Sequence, residues 1–234
     1  MKVVIYVYNG MTLLDAIGPY EVLRSVPGAE VMFVAKSKGE IHPDSRLLNL
    51  DIKHRIKEVT EADILIIPGS TIGFVREMKD KKVLNWIQSI HEKSQWTTSV
   101  CTGSIILAAA GILKGLHATS HWKTLNMLSE YEATPLQERW VEQGKVITAA
   151  GVSAGIDMAL HLASKIAGEE GAKLAQLMIE YDPKPPYQSG NAALVEESIR
   201  EKASELLEKQ AEEELSWFQK IWSFGTLRKL QKEG

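Results

Sequence analysis

Short apolar runs recurring between helical stretches are what most restrict the fold of this chain. Residues 3–8, 30–35, 64–67 and 146–149 read as strands, each long enough for one crossing of a sheet. Between them, residues 14–24, 83–93 and 156–167 read as helices, with Gly18-Pro19 marking the start of the first or a kink in it. The run at 3–8 is apolar throughout, as a strand covered on both faces must be. The expected fold is therefore α/β, a mainly parallel sheet with helices on both faces. Ligands of such sheets bind beyond the carboxyl ends of the strands. Three segments are expected there: 9–18, 68–73 and 101–103.

The last of these holds Cys101, the single cysteine of 234 residues. Residues 97–100 are β-rich and 105–110 read as a buried helix, so Cys101-Thr-Gly103 has room only for a tight turn. A thiol in that turn faces the N–H groups and positive end of a helix, which favour thiolate. The arrangement resembles a nucleophile elbow, a strained strand-to-helix turn that exposes a reactive atom above a sheet. The bland alternative is a small buried hydrophobe ending a strand.

Composition removes several function classes. The net charge is −3 without a basic block, which leaves nucleic acid and anionic membranes no electrostatic footprint. One cysteine excludes an internal disulfide framework and fits a reducing compartment. The apolar N-terminus is too short for a secretion signal and no stretch is long enough to span a bilayer, so a cytoplasmic protein is expected. No His/Cys/Glu grouping has metal-ligand spacing and no glycine-rich nucleotide loop occurs, so no metal or cofactor is expected.

After Tyr181 the character changes. Asp182-Pro-Lys-Pro-Pro-Tyr-Gln-Ser-Gly190 is turn-rich, and residues 192–215 form a charged stretch in which Val195, Ile199, Ala203, Leu206 and Leu207 make one apolar stripe. Trp217, Phe218, Ile221 and Trp222 cluster beyond it. The division expected is a domain at 1–191 and a helical tail at 192–234. The tail either packs on its own domain or grips a second subunit.

Around the cysteine, Asp15 is the first candidate partner, following strand one in a loop at the same sheet edge; its alternative role is a helix N-cap. If it meets the sulfur, the two groups share a proton. Glu21 is a second carboxylate, placed deeper in the helix. Gly69 and Ser70 offer backbone N–H groups which, with the Thr102 amide, could form an anion-stabilising pocket. The Thr102 hydroxyl is suited to orient a water or a substrate nitrogen. His121 is a candidate base for the thiol or a packed neighbour of Trp122, whereas His117 and His161 lack even that context.

These residues also match a known group. Thr98-Ser-Val-Cys-Thr-Gly-Ser104, Ala109-Ala-Gly-Ile-Leu-Lys-Gly115 and Ala118-Thr-Ser-His-Trp122 resemble the cysteine block of the ThiJ/PfpI superfamily. Leu14-Asp15-Ala-Ile-Gly18-Pro19-Tyr-Glu-Val22 and Gly155-Ile-Asp-Met-Ala159 resemble its other characteristic segments. The resemblance implies a class I glutamine-amidotransferase-like, flavodoxin-type fold and a homodimer. Gly151-Val-Ser-Ala-Gly-Ile-Asp157 and Glu180-Tyr-Asp-Pro-Lys-Pro-Pro-Tyr187 are similar to its isonitrile hydratase branch, which carries an aspartate where Asp15 stands. That branch implies Cys101 as nucleophile, Asp15 as acid/base and Thr102 assisting, with an isonitrile as the small-molecule substrate. Ser70 departs from the pattern, since relatives commonly have a second glycine there. The competing expectations are a cofactor-independent glyoxalase-like lyase acting on methylglyoxal, which usually employs a glutamate and a working histidine, and a cysteine-based ligand or redox sensor.

Overall fold

The computed structural model describes residues 1–230, with side chains through Ser216. The first strand, β1 (Lys2–Tyr6), leads into helix α1 (Leu13–Leu23), and β2 (Glu30–Ala35) returns alongside β1. A small antiparallel ribbon, β3 (Gly39–Ile41) with β4 (Leu50–Ile52), and the two-residue β5 (His54–Arg55) follow. Next come β6 (Ile64–Ile67), helices α2 (Phe74–Glu77) and α3 (Lys81–Lys93), then β7 (Trp96–Val100) and α4 (Gly103–Ala109). Beyond a second ribbon, β8 (His117–Ala118) with β9 (Thr134–Pro135), a hairpin joins β10 (Trp140–Gln143) to β11 (Val146–Ala149), and α5 (Ala154–Met178) closes the domain.

The main sheet has the order β10-β11-β7-β6-β1-β2-β5. Every neighbouring pair is parallel except β10 with β11. Read in chain order, its central five strands follow the doubly wound 2-1-3-4-5 arrangement of flavodoxin-like folds. Helix α1 packs with α5, while α2 and α3 pack with α4, so both faces are covered. This explains the sequence pattern: Val3, Val4, Ile5 and Tyr6, like Ile64 through Ile67, have no solvent-exposed surface. Strand order reverses between β1 and β6, where loops leave the sheet in opposite directions and open a crevice.

The structure decides one alternative left open for α1 and lengthens α5. Pro19 lies within α1, not at its start, and Gly18 permits its approach to α5: a Cβ there would sit 3.0 Å from Ile156 Cγ1. Helix α5 extends to Met178 through a break at Gly168, whose φ of 73° only glycine adopts readily.

The chain resolves into two compact units, Met1–Lys184 and Pro185–Gly234. The second contains exposed coil followed by helix α6 (Glu197–Leu230). The side chains of the Trp217, Phe218, Ile221 and Trp222 cluster lie outside the described residues. Among the described residues no helix is long and apolar enough to cross a membrane.

Candidate active site

Strand β7 ends at Val100, and the chain must reverse at once to begin α4. Cys101 takes a left-handed backbone conformation, φ 59°, to do so. For a residue with a Cβ this costs about 1–2 kcal/mol. Hydrogen bonds on both sides of the residue hold it there. The Cys101 N–H donates to Ala150 O at 2.9 Å and to Ala149 O at 3.1 Å. Its carbonyl accepts from the hydroxyls of Ser104 at 3.1 Å and Ser120 at 3.2 Å. Each such bond contributes about 1 kcal/mol, enough together to offset the strain.

Glycines make room for the elbow. A Cβ on Gly69 would lie 2.5 Å from Thr102 N and 2.8 Å from Cys101 Cβ, and one on Gly103 would lie 2.1 Å from Ile67 O. The loop after β6 therefore rests directly on the turn after β7.

Asp15 is fully buried in the first turn of α1, but it does not cap that helix. Thr12 occupies the N-cap, and Asp15 Oδ2 instead accepts from Gly69 N–H at 2.9 Å. Oδ1 is buried without a hydrogen-bond partner, and the carboxyl as a whole lies against the Cys101 thiol. Burial pushes the Asp15 carboxyl up to about 7, the Gly69 N–H opposes the shift, and the charge of Asp44 adds to it. Asp15 thus keeps its proton up to about pH 7.

The thiol behaves differently from the expectation of a helix-favoured thiolate. Burial, and next the charge of Asp15, push the Cys101 thiol up, while the backbone N–H groups of Thr102 and Val152 pull it back. Two acidic groups in a dry pocket do not ionise together. When Asp15 holds the proton its charge is gone, its O–H can donate to sulfur, and the thiolate keeps two N–H donors.

Thr102, Gly69, Ser70 and His121 reach this edge of the sheet, though several are already engaged. The Thr102 hydroxyl donates to Ser70 O at 2.9 Å and accepts from Ser70 N–H at 2.8 Å. Gly69 N–H is taken by Asp15 and Ser70 N–H by Thr102, so the donors facing the sulfur are those of Thr102 and Val152. Ser70 Oγ accepts from Phe74 N–H at 2.6 Å and from the Tyr8 hydroxyl at 3.3 Å, anchoring the loop to α2 and β1. His121 packs against Gly151, where a Cβ would come 3.0 Å from its ring, and burial lowers its pKa. A histidine kept neutral is a possible acceptor, but no bond from it to the sulfur is formed. Glu21 pairs with Arg24 at 2.7 Å on the surface, away from the chemistry.

Sequence reasoning missed Val152, Ser104 and Ser120. The serines had a signal, since small hydroxyl residues near a tight turn commonly bond its carbonyls. Val152 acts through its backbone, and nothing in its side chain announces that. Among the described residues, no group of three or more His, Cys, Asp or Glu side chains is placed to hold a metal ion.

A doubly wound sheet with a cysteine elbow at the carboxyl ends of its strands and a buried carboxyl beside the sulfur defines the class. The chain belongs to the DJ-1/PfpI family, which residues 1–165 match. Within it, the chain is 37% identical over 200 residues to the isonitrile hydratase of Pseudomonas putida, covering 82% of this chain and 86% of that protein. The crystal structure of a ThiJ/PfpI family protein from Pseudomonas syringae superposes with a TM-score of 0.85 at 34% identity, over 90% of this chain and 87% of that one. Drosophila melanogaster DJ-1beta shares the fold, with a TM-score of 0.70 at 19% identity over 78% of this chain and 98% of that one.

Proposed function

We propose that this protein hydrates isonitriles to N-substituted formamides, with Cys101 as nucleophile and Asp15 as acid/base. The observation that carries the reading is the buried pair itself: a carboxyl that keeps its proton to about pH 7, with one oxygen free of other partners, beside a thiol at a strained elbow. The similarity to an isonitrile hydratase supplies the substrate class.

An isonitrile, R–N≡C, becomes electrophilic at its terminal carbon when that carbon is protonated. Within the pair the thiol proton passes to the Asp15 carboxylate; Asp15 then delivers it to the isonitrile carbon as the Cys101 thiolate forms the S–C bond, which leaves a thioimidate and an Asp15 carboxylate. The carboxylate then takes a proton from water as the water oxygen adds to the same carbon. Transfer of the remaining hydroxyl proton to nitrogen and cleavage of the C–S bond release R–NH–CHO and restore thiolate and protonated Asp15. Atoms balance with one water consumed. Thr102 contributes its N–H to the sulfur and its hydroxyl to the Ser70 backbone, so Gly69 and Ser70 shape the pocket and do not donate into it.

The test is incubation of wild type and Cys101→Ala with cyclohexyl isocyanide, following N-cyclohexylformamide by chromatography. Product from wild type alone is expected. Product from the variant would end the nucleophile role, and no product from either would end the named reaction.

A further inference from the structure

Two segments singled out in the sequence, residues 151–157 and 180–187, are not accounted for by the chemistry above. They meet at Arg139, the residue before β10. The Arg139 carbonyl accepts from Ala150 N–H at 3.0 Å, and its guanidinium donates to Ser153 Oγ at 3.3 Å. The same guanidinium pairs with Asp157 in the first turn of α5, and the Tyr181 hydroxyl lies against both Asp157 and Arg139. Ser153 occupies the N-cap of α5 without capping it, because its hydroxyl faces Arg139 instead.

These bonds bracket Gly151 and Val152 from both ends, and Val152 N–H is one of the two donors on the Cys101 sulfur. We infer that Arg139 is a positioning residue: braced by Asp157 and Tyr181, it sets the 151–153 turn so that the Val152 N–H stays aimed at the nucleophile. An N–H donor is effective only within a narrow range of distance and angle. The Gly151 and Val152 carbonyls of this partly exposed turn are tied to Ala154 and Gly155 N–H in the first turn of α5, the turn whose Ser153 and Asp157 are held by Arg139. The titratable groups that face the sulfur, Asp15 and Tyr8, lie on other elements and are untouched by changes at Arg139. The inference presupposes that Cys101 is the reactive group, as in the reading above, but not that the substrate is an isonitrile.

The experiment is the pH dependence of Cys101 alkylation by iodoacetamide in the full chain, which reads the thiolate without any substrate. In Arg139→Met the midpoint should move up by about one pH unit, a tenfold loss of alkylation rate below the midpoint. Ser153→Ala, a surface change that spares the fold even if Arg139→Met does not, should move it in the same direction. The double variant should move it no further than Arg139→Met alone. Lys173→Met breaks an ion pair with Glu169 on the same helix without touching the turn and should leave the midpoint in place. An unmoved midpoint in both Ser153→Ala and Arg139→Met, or an equal shift in Lys173→Met, would overturn the proposal.

Discussion

Asp15 is where burial and reactivity conflict most. In the folded protein it holds its proton to about pH 7, against 3.8 for an ordinary aspartate. Between those values the unfolded chain has released a proton that the folded protein keeps. Stability conferred by this site therefore falls as pH rises through that window and levels off above about 7. The full difference corresponds to about 4 kcal/mol. Asn in its place can still accept from Gly69 N–H and has no charge to bury. Asp15→Asn should match wild type in thermal stability near pH 4 and exceed it at pH 8, while formamide production is lost. A variant less stable than wild type at pH 8 would show that burial of the carboxyl is not costly. In wild type, the one-proton state of the pair, in which the thiol proton can pass to Asp15, fills as pH rises through about 7. Formamide production should therefore rise through that pH and hold until the pair loses its last proton; a rate that falls as pH rises through about 7 would rule out the shared proton.

At the scale of elements, the site depends on two turns in backbone contact. The loop after β6 lies so close to the elbow that Gly69→Ala has no conservative accommodation: its Cβ meets Thr102 N, the hydrogen-bonded Thr102 Oγ1 and Cys101 Cβ, none of them the end of a flexible side chain. Moving the loop breaks the Gly69–Asp15 bond and the two bonds between Ser70 and Thr102. Overpacking of this kind costs about 1–3 kcal/mol. Gly69→Ala should lower the melting temperature and reduce formamide production at least tenfold. Retention of both would mean that the loops separate without consequence.

For the whole molecule, the boundary between the two compact units coincides with exposed coil, and Tyr187 there is 77% exposed. Brief chymotrypsin treatment should cut after Tyr187 before it cuts within the first unit. The fragment from residue 1 to 187 should then unfold cooperatively, since the complete sheet and α1 through α5 lie within it. Mass spectrometry of the digest and thermal unfolding of the fragment check both statements; a fragment that unfolds without a transition would show that residues beyond 187 belong to the folding unit.

Much of this was legible in the chain. The apolar runs at 3–8 and 64–67 announced strands β1 and β6, because a strand covered on both faces has no polar side to show; the β-branched Val146-Ile-Thr148 run announced β11. The β7 elbow was legible for a different reason: a β-rich run, a cysteine and a glycine before a buried helix leave only one backbone path. Strand β10 was missed, although Gly144 at φ 60° makes the turn of its hairpin, because its half-exposed side chains have no apolar run. Asp15 could be named as a candidate but not separated from an N-cap, since both roles place an aspartate at a helix start. Tertiary structure decided between them by placing Gly69 N–H and the Cys101 sulfur against its carboxyl. It also decided that the Thr102 hydroxyl and the Gly69 and Ser70 amides are occupied, and that Val152 N–H and Arg139 complete the arrangement. Side-chain periodicity records which face of an element is buried, so the chain determined its own layers. Backbone donors and contacts between distant turns leave no mark on that pattern, and they exist only once the sheet has brought its strand ends together.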